Sequence, residues 1–139
     1  MSVQEYLSEN AKITTEPPSA SGTTTVDTAA YDNLAFAAIL FVVRVGSTAG
    51  NVDIRAQQSA TQGGTFSDIA GSKIVATVNS LAIDLKRQTK QWCRVRITRG
   101  SATTVDGVVV VQYGAKNRPV VQPGSVSLKA IHGGADGVA

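Results

Sequence analysis

The chain has few of the residues on which enzymes and metal sites depend. Its 139 residues include one histidine, His132, and one cysteine, Cys93, and its ten acidic residues are scattered. His132 lies in the glycine-rich stretch KAIHGGADG, where a base cannot be held in the geometry that proton transfer requires. One histidine and one cysteine also cannot supply the usual ligands of zinc. The sequence therefore predicts no catalytic residue, no metal, no cofactor and no enzyme activity.

Charged residues and long apolar runs are also scarce. Charged side chains make up 17% of the chain, against about a quarter in an average soluble domain. This suggests a surface that other chains cover, although the plentiful Ser, Thr, Gln and Asn could supply solubility instead. The longest apolar run, Leu34–Val45, has 12 residues, whereas a membrane helix needs about 20. The N-terminus has neither a basic start nor an apolar run, so we expect no secretion signal and no membrane segment.

The strongest feature that is present is the segment Lys90–Arg99, KQWCRVRITR. Its residues alternate, with Cys93, Val95 and Ile97 on one face and Trp92 among the polar residues on the other. This period of two is typical of a strand with one buried face, so we expect Cys93 to be a small buried hydrophobe. A basic cluster of six residues without an acidic one spans this strand and its approach: Lys86, Arg87, Lys90, Arg94, Arg96 and Arg99.

Three interpretations of the basic cluster remain open at this stage. It could be a solvated face that keeps strand edges apart, a patch facing another protein, or a nucleic-acid patch. The last is least favoured because single-strand platforms interleave several aromatic residues, and only Trp92 lies within the cluster. Exposed tryptophan is enriched in protein interfaces. We therefore predict a protein interface formed by the basic cluster and Trp92, together with Tyr6 and Leu7 near the N-terminus.

Other alternating segments predict an all-β core. Residues 51–58, 73–78 and 81–87 alternate, and residues 108–113 read VVVVQY after a predicted hairpin loop at 100–107. Leu34–Val45 is apolar on both faces and fits a strand buried on both sides or a buried helix. Strands at this spacing with turns between them indicate an antiparallel β-sandwich or barrel.

The ends of the chain differ in composition from this core. Residues 1–21 are polar and contain Pro17-Pro18, and residues 120–139 are rich in glycine and poor in large apolar side chains. We predict an N-terminal arm (1–21), a β-sandwich core (22–119) and a C-terminal arm (120–139), with the arms disordered or lying across neighbouring subunits.

Charge is also uneven along the sequence. Residues 1–70 hold three basic and seven acidic side chains, whereas residues 71–139 hold ten basic and three acidic ones. We predict that these halves make complementary contacts with a partner or with a second copy. Changing Arg94 and Arg96 to Glu would then weaken attachment to the partner and leave the fold intact.

Several local motifs resemble those of the small jelly-roll cement, or decoration, proteins that coat the heads of tailed bacteriophages. The resembling segments are Ala30–Leu34 (AYDNL), Ile54–Ser59 (IRAQQS), Phe66–Ile69 (FSDI), Leu85–Arg87 (LKR) and Trp92–Ile97 (WCRVRI). They are structural motifs, and the resemblance covers about residues 25–119. It leaves the two predicted arms unexplained.

The resemblance implies a jelly roll, contact with a major capsid protein, and a homodimer or other homo-oligomer at symmetry positions of a capsid. It also implies a location on the virion surface after synthesis in the host cytoplasm. The alternative is a soluble β-sandwich module that binds carbohydrate or another polymer, although such modules usually display a row of aromatics and this chain has seven in all. No membrane partner is expected.

Overall fold

Eleven strands and one short helix account for the regular structure in the described residues. The computed structural model describes residues 6–46, 52–100, 102–130 and Gly137. Helix α1 is Leu7–Asn10. The strands are β1 Ala11–Glu16, β2 Ser19–Gly22, β3 Val26–Asp27, β4 Tyr31–Asp32, β5 Phe36–Val45, β6 Val52–Ser59, β7 Ser67–Asp68, β8 Ile74–Val75, β9 Ser80–Lys86, β10 Trp92–Arg99 and β11 Thr103–Ala115.

The strands form two antiparallel sheets. Sheet A has the order β1-β11-β5-β9, with β2 also paired to β11, and sheet B has the order β3-β10-β6-β7, with β4 on β10 and β8 on β6. If the broken pairs β1/β2, β3/β4 and β7/β8 each count as one strand, eight strands remain, with sheet orders 1-8-3-6 and 2-7-4-5. This is a jelly-roll arrangement, so the predicted all-β sandwich is confirmed.

The core lies between the sheets and follows from the alternation of side chains. Strand β5 buries Ile39, Phe41 and Val43 against residues of β10 that include Val95 and Ile97. Leu34–Val45, which could have been a helix, is therefore a strand from Phe36 onward. Its β-branched residues suit this position, because β11 and β9 pair with it on either side.

The first predicted arm is wrong for most of its described length. Ala11–Glu16 pairs with β11 over six residues, and Ser19–Gly22 pairs with the start of β11. The Tyr31 hydroxyl in sheet B donates a hydrogen bond to the Glu16 carboxylate, which joins this edge of sheet A to the other sheet. Short, polar segments gain most of their stability from the partner strand, which the local sequence does not reveal.

The predicted hairpin at residues 100–107 is also wrong. Strand β11 begins at Thr103, and it lies in sheet A whereas β10 lies in sheet B. The connection therefore crosses from one sheet to the other, and a local turn signal cannot distinguish these two cases.

The start of the second predicted arm is hydrogen-bonded to its own chain at Val120 and Gln122. Residues 120–130 contain no strand or helix, but the Gln122 side chain accepts a hydrogen bond from Ile13 N and donates to the carbonyl oxygens of Ser8 and Ala11. Gln122 thus bonds Ile13 N and Ala11 O on the outer edge of β1, two backbone groups that would otherwise be unpaired. Residues 131–136, 138 and 139 lie outside the described part. Across the described residues, no helix is long and apolar enough to span a membrane.

Candidate protein-binding surfaces

The outward face of sheet B carries a network of paired charges. Arg96 on β10 donates two hydrogen bonds to the Asp27 carboxylate on β3, with N···O distances of 2.8 and 3.0 Å. Arg94 Nη2 lies 3.6 Å from the same carboxylate, and its Nε donates to Gln57 Oε1. The hydrogen bonds from Arg96 and the nearby charge of Arg94 lower the pKa of Asp27. Both arginines are thus held by partners within their own chain.

The same network continues across β6. Arg55 lies directly opposite Arg96 in the strand register, and its guanidinium pairs with Asp53 at 3.0 Å and with Asp68 at 3.1 Å. Hydrogen bonds from Gln57 and Arg55 lower the pKa of Asp68. These carboxylates offset the repulsion that two facing arginines would otherwise exert.

The two halves of the sequence pair with each other here, within one molecule, whereas the prediction was of contacts with a partner or a second copy. Asp27 comes from the acidic half, and Arg94 and Arg96 come from the basic half. A protein interface at Arg94 and Arg96 would have to compete with these pairs.

Arg99 does not belong to an accessible basic cluster, and its assignment to the interface is wrong. Arg99 is buried, with 6% of its surface exposed. The guanidinium donates to the carbonyl oxygens of Thr24, Ala20 and Thr103 at 2.7, 2.8 and 2.7 Å. It thereby ties the end of β10 to β2, to the connection after β2 and to the start of β11. The alternation of β10 already places Arg99 on the same side as Cys93, Val95 and Ile97, so the signal was present in the sequence.

The remaining predicted site residues fall in separate places. Lys86 ends β9 on the outward side of sheet A, and Arg87 and Lys90 follow in the connection to β10. Trp92 is half-buried at the start of β10, where its register partners are Asp32 and Ser59. Tyr6 and Leu7 lie at the start of helix α1, and Leu7 is exposed. Of the predicted site residues, Lys86, Arg87 and Lys90 thus remain as accessible cations that are close in sequence.

Sequence reasoning missed a second surface, the outward face of sheet A. Two register rows cross this face: Ile13, Val111, Leu40 and the carboxylate Asp84 form one, and Thr15, Val109, Val42 and Ala82 form the other. Val109 is 39% exposed, and Ile13, Leu40, Val42 and Val111 are each partly exposed. We call this surface the apolar face. The signal for this surface in the sequence was that the segments forming β5 and β11 are each apolar on both sides of the strand.

A tyrosine closes one end of the apolar face. The Tyr113 hydroxyl donates to Asp84 Oδ1 at 2.5 Å, reaching from β11 across β5 to β9. This hydrogen bond and partial burial raise the pKa of Tyr113 to about 12. Tyr113 therefore stays neutral at physiological pH and covers the strand beneath it.

Three further reactive or aromatic side chains, Cys93, Phe41 and Phe66, are packed against other residues of the chain. Burial raises the pKa of the Cys93 thiol to about 11, so it is a packed side chain rather than a nucleophile. Phe41 is buried, and Phe66 lies under the Arg94 guanidinium at 4.2 Å. In the ranges that the structure describes, no group of three or more His, Cys, Asp and Glu residues could hold a metal ion.

Comparisons with known proteins establish the fold and leave the family open. No protein-family model matches the chain, and no curated protein matches it significantly in sequence. Among solved structures, the crystal structure of PBSX exported protein XepA is similar, with a TM-score of 0.53 and 17% sequence identity. The match covers 93% of this chain and 45% of that chain. At this level of identity, the similarity shows that the two chains share a fold.

Proposed function

We propose that this protein is a structural virion protein that binds the outside of a phage capsid and cements contacts between major capsid protein subunits. The observation that carries the proposal is the apolar face, where Leu40, Val42, Val109 and Val111 form one exposed surface across adjacent strands. Contiguous apolar surface of this kind marks sites of protein–protein contact. The opposite face of the sandwich is occupied by its own ion pairs.

Two further observations support a phage role. Motifs such as Trp92–Ile97 resemble those of jelly-roll head cement proteins, and the chain folds as a jelly roll. A solved structure that shares this fold is that of PBSX exported protein XepA. In this proposal the protein assembles as a homo-oligomer at symmetry positions of the shell.

The physical basis of cementing is linkage between binding and assembly. A protein that binds only the assembled shell stabilises that state, and modest contacts sum over the many copies on a particle. The direct test is sedimentation of a nuclease-treated lysate that contains the protein. Travel with capsid-sized particles, at a fixed ratio to one dominant shell protein, supports the proposal. A protein that stays at the top of the gradient as a small oligomer would overturn it.

The apolar face predicts which substitution detaches the protein. Val109→Asp places a carboxylate in the centre of this face, and burying it against an apolar partner carries a large desolvation cost. We expect the affinity for heads to fall by about tenfold or more. Since Val109 is already 39% exposed, the unfolding temperature should change little. Occupancy on purified heads and a thermal melt measure the two effects.

Val75→Asp is the matched control. Val75 is 47% exposed and lies on β8 of sheet B, on the far side of the molecule, with Asp53 as its register partner. The neighbouring carboxylate makes this the less favourable position for a new negative charge. Equal loss of occupancy in the two variants would show that the apolar face does not contact the shell.

A further inference from the structure

A cleft of about 340 Å³ opens at one end of the sandwich. Its walls are the connection from β4 to β5, with Asn33 and Leu34, the connection from β9 to β10, with Arg87 to Gln91, and Lys116 after β11. It is separate from the apolar face. A second groove, of about 570 Å³, continues past Leu34 and Lys116 towards Lys12 and Asp32.

The charge of this cleft is unbalanced. Arg87, Lys90 and Lys116 line it, and no acidic residue does. Within the described ranges, none of these three cations is ion-paired with a carboxylate, in contrast to Arg94 and Arg96. Such a site favours a ligand that carries negative charge.

Two residues that line the cleft also hold buried polar atoms without partners. Asn33 is 1% exposed, and its Oδ1 accepts a hydrogen bond from Gln112 Nε2, which leaves its Nδ2 as a donor without an acceptor. Gln88 Oε1 is a buried acceptor without a donor. Buried polar atoms without partners are rare and point to a missing ligand or water. A peptide backbone offers both a carbonyl oxygen and an N–H, whereas a phosphate diester offers only acceptors.

The backbone of the cleft is strained at one of its cations. Arg87 has φ 55°, in the left-handed region that glycine tolerates best. Such a conformation is unfavourable for a non-glycine residue and is concentrated at functional sites. Leu34 adds an apolar contact, because it is 61% exposed at the rim beside Phe36.

We infer that this cleft binds an extended peptide segment of a partner protein, one that carries aspartate or glutamate next to a large apolar side chain. The carboxylates meet Arg87, Lys90 and Lys116, and the apolar side chain packs on Leu34 and Phe36. The Asn33 and Gln88 side chains turn towards the cleft to bond the peptide backbone. Short peptides are commonly recognised in this way, by backbone hydrogen bonds with pockets for alternate side chains. The inference does not depend on a capsid as the partner.

The test is fluorescence anisotropy of the full chain with a labelled octapeptide of alternating aspartate and leucine. Matching probes replace aspartate with lysine, or leucine with serine, and an eight-nucleotide single-stranded DNA tests nucleic acid as the ligand. We expect the aspartate–leucine peptide to bind more tightly than all three. No binding of that peptide, or equal or tighter binding of any matching probe, would overturn the proposal.

Matched double variants separate the cleft from overall charge. Lys90→Gln with Lys116→Gln and Lys86→Gln with Lys129→Gln each lower the formal net charge from +3 to +1, but only the first pair lines the cleft. We expect the first to weaken peptide binding by about tenfold and the second by less than about twofold. Equal losses would assign the binding to net charge and reject the cleft.

Arg87→Gly tests the strained residue. Glycine relieves the backbone strain at φ 55°, and this gain offsets the larger entropy of the unfolded glycine chain. The unfolding temperature should therefore not fall, while peptide binding weakens by about threefold or more. A variant that loses stability but binds as tightly as the wild type would contradict a binding role for Arg87.

Discussion

At the scale of single residues, Arg99 shows how a charge can serve the fold rather than a surface. Its guanidinium satisfies three backbone carbonyls, in β2, in the connection from β2 to β3 and at the start of β11, all at 2.7–2.8 Å. Gly22 lies so close that an added Cβ would stand 3.1 Å from Arg99 Nη2. A planar group with five donors can bond several acceptors at once, which is why arginine suits this position.

Arg99→Met should therefore be strongly destabilising. Methionine fills similar space but leaves three carbonyl acceptors without their charged donor, and we expect a loss of about 3 kcal/mol in the free energy of unfolding. Arg96→Met removes a partly exposed ion pair three residues away on the same strand and should cost about 1 kcal/mol. Denaturant unfolding measures both. If Arg96→Met costs as much as Arg99→Met, the structural role assigned to Arg99 is incorrect.

At the scale of elements, the sequence predicts strands best where one face is apolar and the other polar. Strands β6 and β10 match the predicted segments to within two residues at each end, because their alternation records the inner and outer faces directly. Strand β5 was ambiguous because its outward side, with Leu40 and Val42, is apolar as well. Strands β1 and β2 were missed because their pairing with the distant β11 lies outside any local pattern.

The same reasoning explains how much of the candidate surfaces could be foreseen. The basic cluster was visible as a run of sequence, but its division among an ion-paired face, a buried clamp and a cleft depends on register and strand order. Asp27, the partner of Arg96, is 69 residues away in the chain. The apolar face could have been proposed from β5 and β11 alone, but only their adjacency makes it one surface.

Strand β1 can be distinguished from an arm by paired proline substitutions. Ile13 N and Ala11 O bond to Gln122 on the outer edge, so Thr14 N points towards β11 and Thr15 N points away. Thr14→Pro therefore removes a ladder hydrogen bond and should cost about 2 kcal/mol or more, whereas Thr15→Pro should cost less than about 1 kcal/mol. Thermal or denaturant unfolding gives both values. If neither substitution lowers the free energy of unfolding, residues 11–16 are an arm and not a strand of the sheet.

At the scale of the whole molecule, the fold sorts charge and apolar surface into three regions. The outward face of sheet B neutralises itself, the outward side of sheet A carries the apolar face, and three cations, Arg87, Lys90 and Lys116, line the cleft at one end. Changing Arg94 and Arg96 to Glu would place new carboxylates beside Asp27 and destabilise the fold. That pair of substitutions therefore cannot serve as a clean test of attachment, although it was the natural choice from the sequence.

The self-neutralised face also makes a prediction about pH. Hydrogen bonds from Arg96 lower the pKa of Asp27 in the folded state. A carboxyl with a lower pKa in the folded than in the unfolded chain stabilises the fold above the unfolded value, about 3.9, and this stabilisation is lost as the pH falls through the folded pKa. Asp27→Asn should thus be about 1 kcal/mol less stable than the wild type near neutral pH, with the gap closing below about pH 4.

Unfolding free energies measured from neutral pH to about pH 2.5 test this closing gap. Asp106→Asn is the control, because the Asp106 carboxylate accepts a hydrogen bond from Thr104 and lies outside the network of sheet B. If the gap for Asp27→Asn stays constant across the range, the Asp27 carboxylate gains nothing from Arg96 in the fold. The basic strand would then have its charge available for a partner, as the sequence first suggested. Binding could no longer be assigned to the apolar face on the ground that the charged face is already paired within the chain.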